Sequence, residues 1–118
     1  MPGVLLSDAR DLDPGERDLV NASGIRHEPE MRSLLEQPLP EGPLYVHFDT
    51  DLLDSSTAPA FLYPVPGGPT PQQVAAFLRR EKESGRMVAA TATAAWDSKR
   101  QGAAETLAAA RSAWAGIG

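Results

Sequence analysis

Short apolar runs alternate along the chain with stretches whose apolar residues recur three and four positions apart. Val4–Leu6 is an apolar run consistent with a buried strand. Asp13-Pro14-Gly15-Glu16 predicts a helix start: Asp13 caps the free amides, Pro14 suits the first helical position and Glu16 reciprocates three residues on. Leu19 and Val20 would form its inner face, and Gly24 its stop. Ile25–His27 reads as a short strand. Met31, Leu34 and Leu35 have helical spacing, ended by Pro38. Leu44–Phe48 is the next strand.

Thr70 and Gln73 repeat the capping pattern around Pro71. Val74, Phe77 and Leu78 form the predicted buried stripe, Arg79–Glu83 a solvated face, and Gly85 the stop. Met87–Ala95 reads as a strand whose small side chains suit a central position covered on both faces, although such a run also tolerates helix. Ala103–Ala115 predicts a last helix, with Leu107, Ala110 and Trp114 on one face. Strands alternating with helices give an α/β class: a partial three-layer fold with a mainly parallel sheet flanked by helices, in one domain over residues 1–118. The connection from Asp54 to Gly68 carries Pro59, Pro64, Pro66, Gly67 and Gly68, which exclude helix or central strand. It follows the carboxyl end of the Leu44–Phe48 strand, where open α/β sheets place their ligands.

Composition narrows the chemistry. With 11 basic and 16 acidic residues the net charge is −5, which disfavours nucleic acid and anionic membrane surfaces as partners. Cysteine is absent, so disulfides, thiolate metal sites and cysteine nucleophiles are excluded. No apolar stretch approaches a membrane span, and Met1–Leu6 lacks the basic start of a signal peptide; the expectation is a cytoplasmic protein.

His47, Asp49 and Asp51 alternate at the end of the Leu44–Phe48 strand. For as long as the extended geometry holds, they share one side. Neighbouring carboxylates repel unless a cation or proton lies between them, so the segment is a metal-site candidate. Taken alone, Asp49 and Asp51 are also explained by a solvated strand end or a helix cap. His47 is accounted for as a hydrogen-bonded strand residue, and Trp96 and Trp114 as core or interface anchors. Asp8, Arg10 and Asp11 are expected to serve the loop after the first strand.

The segment His47–Gly68, HFDTDLLDSSTAPAFLYPVPGG, resembles the last metal-binding signature of the ureohydrolases, the arginase and agmatinase family. Asp49, Asp51, Asp54, Pro59, Pro66, Gly67 and Gly68 match its spacing, and DARDLDPGERDLVNASGIR resembles the stretch that precedes it. The resemblance runs from about Leu6 to Asp97. It implies a role for Asp49 in bridging two manganese ions, for Asp51 in binding one of them, and for Asp54 in holding the loop through backbone amides. It implies hydrolysis of a linear C–N bond in a guanidino or amidine compound by a metal-bound hydroxide.

Departures limit what is implied. His47 stands where Ser or Thr is usual, Thr50 where an aliphatic residue is usual, and Ser55 where Pro is usual. The family's Gly-Gly-Asp-His and Asp-Ala-His-x-Asp segments do not occur, and His27 and His47 are the only histidines. The family's guanidinium-holding glutamate would fall near Ala95, where the first carboxylate is Asp97. The expectation is the carboxyl-terminal part of a ureohydrolase, inactive by itself, or a non-catalytic association domain. An incomplete sheet would expose a strand edge and apolar surface, so self-association, or a missing amino-terminal part as partner, is expected.

Overall fold

The computed structural model describes residues 3–10 and 12–118. Asp11, named above with Asp8 and Arg10, lies outside the described residues. The elements run β1 (Leu5–Ser7), α1 (Pro14–Ser23), β2 (Arg26–Glu28), a 3-10 helix (Met31–Leu35), β3 (Leu44–Asp49), a 3-10 turn (Thr50–Leu52), α2 (Pro71–Glu83), β4 (Met87–Thr93) and α3 (Ala103–Trp114). All pairing between named strands is parallel, as the alternating pattern predicts. Among the described residues, however, the strands form two separate two-stranded sheets, β1–β2 and β3–β4.

Both predicted capping boxes form. Asp13 accepts from the Glu16 amide at 2.8 Å, Thr70 accepts from the Gln73 amide at 3.1 Å, and each reciprocal bond is present. Gly24 closes α1 in the left-handed region at φ 75°. The inner face expected for α1 is not realised: it buries no residue, and Leu19 is 72% exposed. Among the described residues no other element makes extensive contact with α1, so its apolar residues have little to pack against.

The core lies between β3, α2 and α3. Phe48, Leu53, Ala58, Phe61, Val74, Leu78, Ala109 and Ala113 are buried in one cluster with Met31. The charged run of α2 is not wholly solvated. Glu81 continues the stripe of Val74 and Leu78 at helical spacing and is buried, because the helix keeps that face inward for another turn. Arg80 donates to the carbonyls of Leu34 and, at 3.1 Å, Gln37, tying α2 to the 3-10 helix. Burial raises the Glu81 carboxyl above its ordinary value, against the opposing pull of Arg80 and Arg86. The folded state therefore holds the Glu81 proton more tightly. Its contribution is fully present below the ordinary carboxylate range and is lost as pH rises through the raised value. Glu81→Gln should flatten that decline; equal slopes of stability against pH from 4 to 7 in urea melts would contradict this.

α3 packs on α2, and its buried residues are Thr106, Ala109, Ala110 and Ala113. The sequence pattern centres this face on Leu107, Ala110 and Trp114, but Leu107 is half-buried and Trp114 lies at the rim with 36% exposure. Small side chains permit the close approach that larger ones would prevent. At the same junction, Gly116 lies against the backbone of Ala75 with no room for a Cβ.

β4 stops at Thr93, and it is not covered on both faces. Tyr45, His47 and Asp49 of β3 sit opposite Ala89, Thr91 and Thr93 of β4, and their shared face is largely exposed. The register skips Val88 between Leu44 and Tyr45, leaving it 70% exposed. Only the other face, through Val46 and Phe48, meets the core.

Candidate metal-ligand site and its framing loop

β3 is extended up to Asp49, where φ is −93° and ψ 119°. The chain then tightens into the Thr50–Leu52 turn. His47 and Asp49 therefore share the exposed strand face, while Asp51 stands on the turn, half-buried, outside the two-residue alternation. The turn is pinned beneath: Thr50 is fully buried, and its hydroxyl accepts from Trp114 Nε1 at 3.1 Å. His47 Nδ1 lies 2.6 Å from Thr91 Oγ1, which is also 2.8 Å from the Tyr45 hydroxyl. His47 is thus a cross-strand hydrogen-bonding residue beside Asp49. His27 lies in β2, in the other sheet.

Asp54 organises the loop. Its Oδ1 accepts from the Gly67 amide at 2.7 Å, and its Oδ2 accepts from the Ser56 amide at 3.2 Å and from the Ser56 hydroxyl. Its own amide donates to Pro69 O at 3.2 Å. The Ser56 hydroxyl and then the Gly67 amide hold the Asp54 carboxyl below its ordinary value. A lowered folded-state pKa contributes stability above the unfolded value that is lost as pH falls through the folded one. The loop should therefore loosen only in acid, below about pH 4. Amide exchange at Gly67 that is already fast at pH 6 would contradict this.

A second tie crosses the chain. Asp8 adopts φ 54°, a left-handed conformation that Asp tolerates better than most residues. Its carboxylate accepts from Arg10 Nη1 at 2.9 Å and from the Met31 amide at 2.5 Å. Arg10 Nη2 then donates to Val65 O at 3.1 Å, joining the loop after β1 to the proline-glycine loop. That reach across 55 positions leaves no local signal in the sequence. At the far side, Leu62 N donates to Ala95 O at 2.7 Å and Asp97 N donates to Ala60 O at 3.1 Å. The Asp97 carboxylate, the first one after Ala95, accepts from the Lys99 amide at 2.8 Å and serves that turn.

Asp49 and Asp51 are hard oxygen donors of the type that suits Mn²⁺ or Mg²⁺. Such ions take about six ligands. Among the described residues no group of three or more His, Cys, Asp or Glu converges to hold a metal. These residues by themselves therefore do not fit a complete centre. Nor is any helix among the described residues long and apolar enough to cross a membrane.

The sequence matches the arginase family over residues 12–114. The chain belongs to the arginase family. It is 35% identical over 78 residues to the N(omega)-hydroxy-L-arginine amidinohydrolase of Streptomyces lavendulae, spanning 64% of this chain and 28% of that protein. Its fold is that of the Bacillus subtilis arginase, with a TM-score of 0.79 and 22% identity over 97% of this chain and 43% of that one. The hypothetical agmatinase structure from Burkholderia thailandensis superposes with a TM-score of 0.66 and 25% identity, over 96% of this chain and 37% of that one. This family member thus spans less than half the length of these relatives.

Proposed function

We propose that this chain is the part of an arginase-family hydrolase that carries the Asp49–Asp51 carboxylate pair, and that it does no chemistry without further ligands. The substrate class would be a guanidino or amidine compound, the bond a linear non-peptide C–N bond, and the metal manganese, with Asp49 bridging two ions and Asp51 binding one. The observation that carries this reading is Asp49 at the end of β3, followed by a buried turn and a loop anchored by Asp54. The pair stands at a strand end, where α/β sheets gather ligands. The lack of the family's Gly-Gly-Asp-His and Asp-Ala-His-x-Asp segments supports inactivity in isolation. The cysteine-free composition is compatible with a cytoplasmic setting.

The test is release of urea or ammonia from arginine and agmatine with Mn²⁺. The 118-residue chain alone should give none. Turnover that is lost in Asp49→Asn would show a complete site and overturn the proposal.

The bare face of the β3–β4 sheet favours an association role as a second reading. Tyr45 is 61% exposed and Val88 70% exposed on a sheet that has two strands among the described residues. Size-exclusion chromatography should show self-association as concentration rises. A monomer at high concentration would count against this reading.

A further inference from the structure

The turn between Asp49 and Asp51 rests on a polar contact from α3. Thr50 is fully buried, and its hydroxyl accepts from Trp114 Nε1 at 3.1 Å, across 64 positions of sequence. Trp114 itself lies at the rim, so the bond joins a buried acceptor to a donor near solvent. Trp114 is the last residue of α3, and the chain beyond it is held from two directions. Gly116 lies against the Ala75 backbone of α2, and Lys82 Nζ donates to Ile117 O at 3.0 Å and to Gly118 O at 3.1 Å. Ile117 also packs against the core. The indole donor is therefore presented from a fixed post. On the other side of the bond, Leu53 N donates to Thr50 O at 3.2 Å and closes the turn. Asp49 precedes Thr50 and Asp51 follows it, so a movement of Thr50 carries both carboxylates with it.

We propose that Trp114 is a positioning residue: by satisfying the buried Thr50 hydroxyl it sets where Asp49 and Asp51 stand. The two ends of the bond are not equivalent. Without the indole N–H, the Thr50 hydroxyl is a buried polar group that has lost its donor, and it carries that desolvation cost unless the turn shifts. Without the hydroxyl, the indole N–H remains at the rim, where water can replace the lost partner. Valine has the shape of threonine and no hydroxyl, so it makes no demand on Trp114. An aliphatic residue is usual at position 50 in the family, so this dependence on Trp114 belongs to the present chain. The inference rests on the proposed function only in taking Asp49 and Asp51 as the working pair, and its test needs no metal.

The test is NMR of the whole chain at one neutral pH and without metal. It reads the side-chain carboxyl carbon resonances of Asp49 and Asp51, and amide exchange at Leu53. Trp114→Phe keeps an aromatic ring and removes the donor. It should displace both resonances and speed Leu53 exchange by about tenfold or more, the order expected when a buried polar group loses its partner. Thr50→Val, alone or combined with Trp114→Phe, should leave both resonances near their native positions and the exchange within about twofold of native. Loss of ring packing alone would not be repaired by a change at Thr50. Unmoved resonances in Trp114→Phe, or a displacement that the double variant retains, would overturn the proposal. If Trp114→Phe does not fold, recovery of the fold and the resonances in the double variant supports it, and failure to recover overturns it. A native chain that gives no heat with Mn²⁺ would contradict the metal reading alone and leave these readouts unchanged.

Discussion

Phe61→Ala should destabilise the chain by about 3–5 kcal/mol, the usual cost of emptying a buried phenylalanine site. Phe61 is 1% exposed although it belongs to the loop between β3 and α2. It joins Leu53, Ala58, Val74 and Ala113 in the core, so its loss leaves a cavity on which several elements border. The backbone around it cannot readily collapse inward. Leu62 N is bonded to Ala95 O, Asp97 N to Ala60 O, and Arg100 Nη1 donates to Phe61 O at 2.6 Å. Its neighbour Leu62 is 42% exposed and provides the control. Leu62→Ala should change stability by about 0.5 kcal/mol or less. Urea denaturation compares the two through their midpoints. Similar midpoints for both variants would mean that the loop is not part of the core.

Gly68→Ala should cost on the order of 1–3 kcal/mol, for steric reasons. A Cβ there would collide with Leu52 O and lie 2.8 Å from Arg10 Nη2 and 2.9 Å from Asp54 N. Arg10 can swing aside, but Leu52 O and Asp54 N are backbone atoms of the segment that carries Asp51. The added methyl group should therefore push the Asp49–Asp54 segment away from its loop. Gly67 resists substitution for a different reason: its φ of 87° is left-handed, yet no atom beyond its chain neighbours lies within 4 Å of the place a Cβ would take. Gly67→Ala should cost about 1–2 kcal/mol through backbone strain alone. Amide exchange separates the two effects. Gly68→Ala should speed exchange at Asp54, and Gly67→Ala should leave the Asp54 amide protected by Pro69 O. Unchanged exchange at Asp54 in Gly68→Ala would contradict the packing account.

The local features were legible in the sequence because local physics decides them. Asp13 with Glu16, and Thr70 with Gln73, set the starts of α1 and α2 within four residues. The parallel pairing followed from alternating strands and helices, and the role of Asp54 in the loop was readable from its motif. What the sequence obscured depends on partners distant along the chain. The exposure of Leu19 depends on what covers α1, and the burial of Glu81 on how far the α2 stripe stays in contact. Arg10 bonds to Val65 and Arg80 to Gln37 across long separations that no periodicity reports. The alternation of His47, Asp49 and Asp51 promised one shared side, but the buried hydroxyl of Thr50 draws the chain into a turn before Asp51. Small residues in Met87–Ala95 suggested coverage on both faces, but the strand ends at Thr93 and only one face is covered among the described residues.

Under the proposed function, Asp49 and Asp51 are one part of a metal centre completed by other residues. Calorimetric titration of Mn²⁺ into the chain, compared with the Asp49→Asn, Asp51→Asn double variant, tests it most directly. Weak, saturable heat is expected from the native chain and none from the variant. Identical heats from both proteins would contradict it.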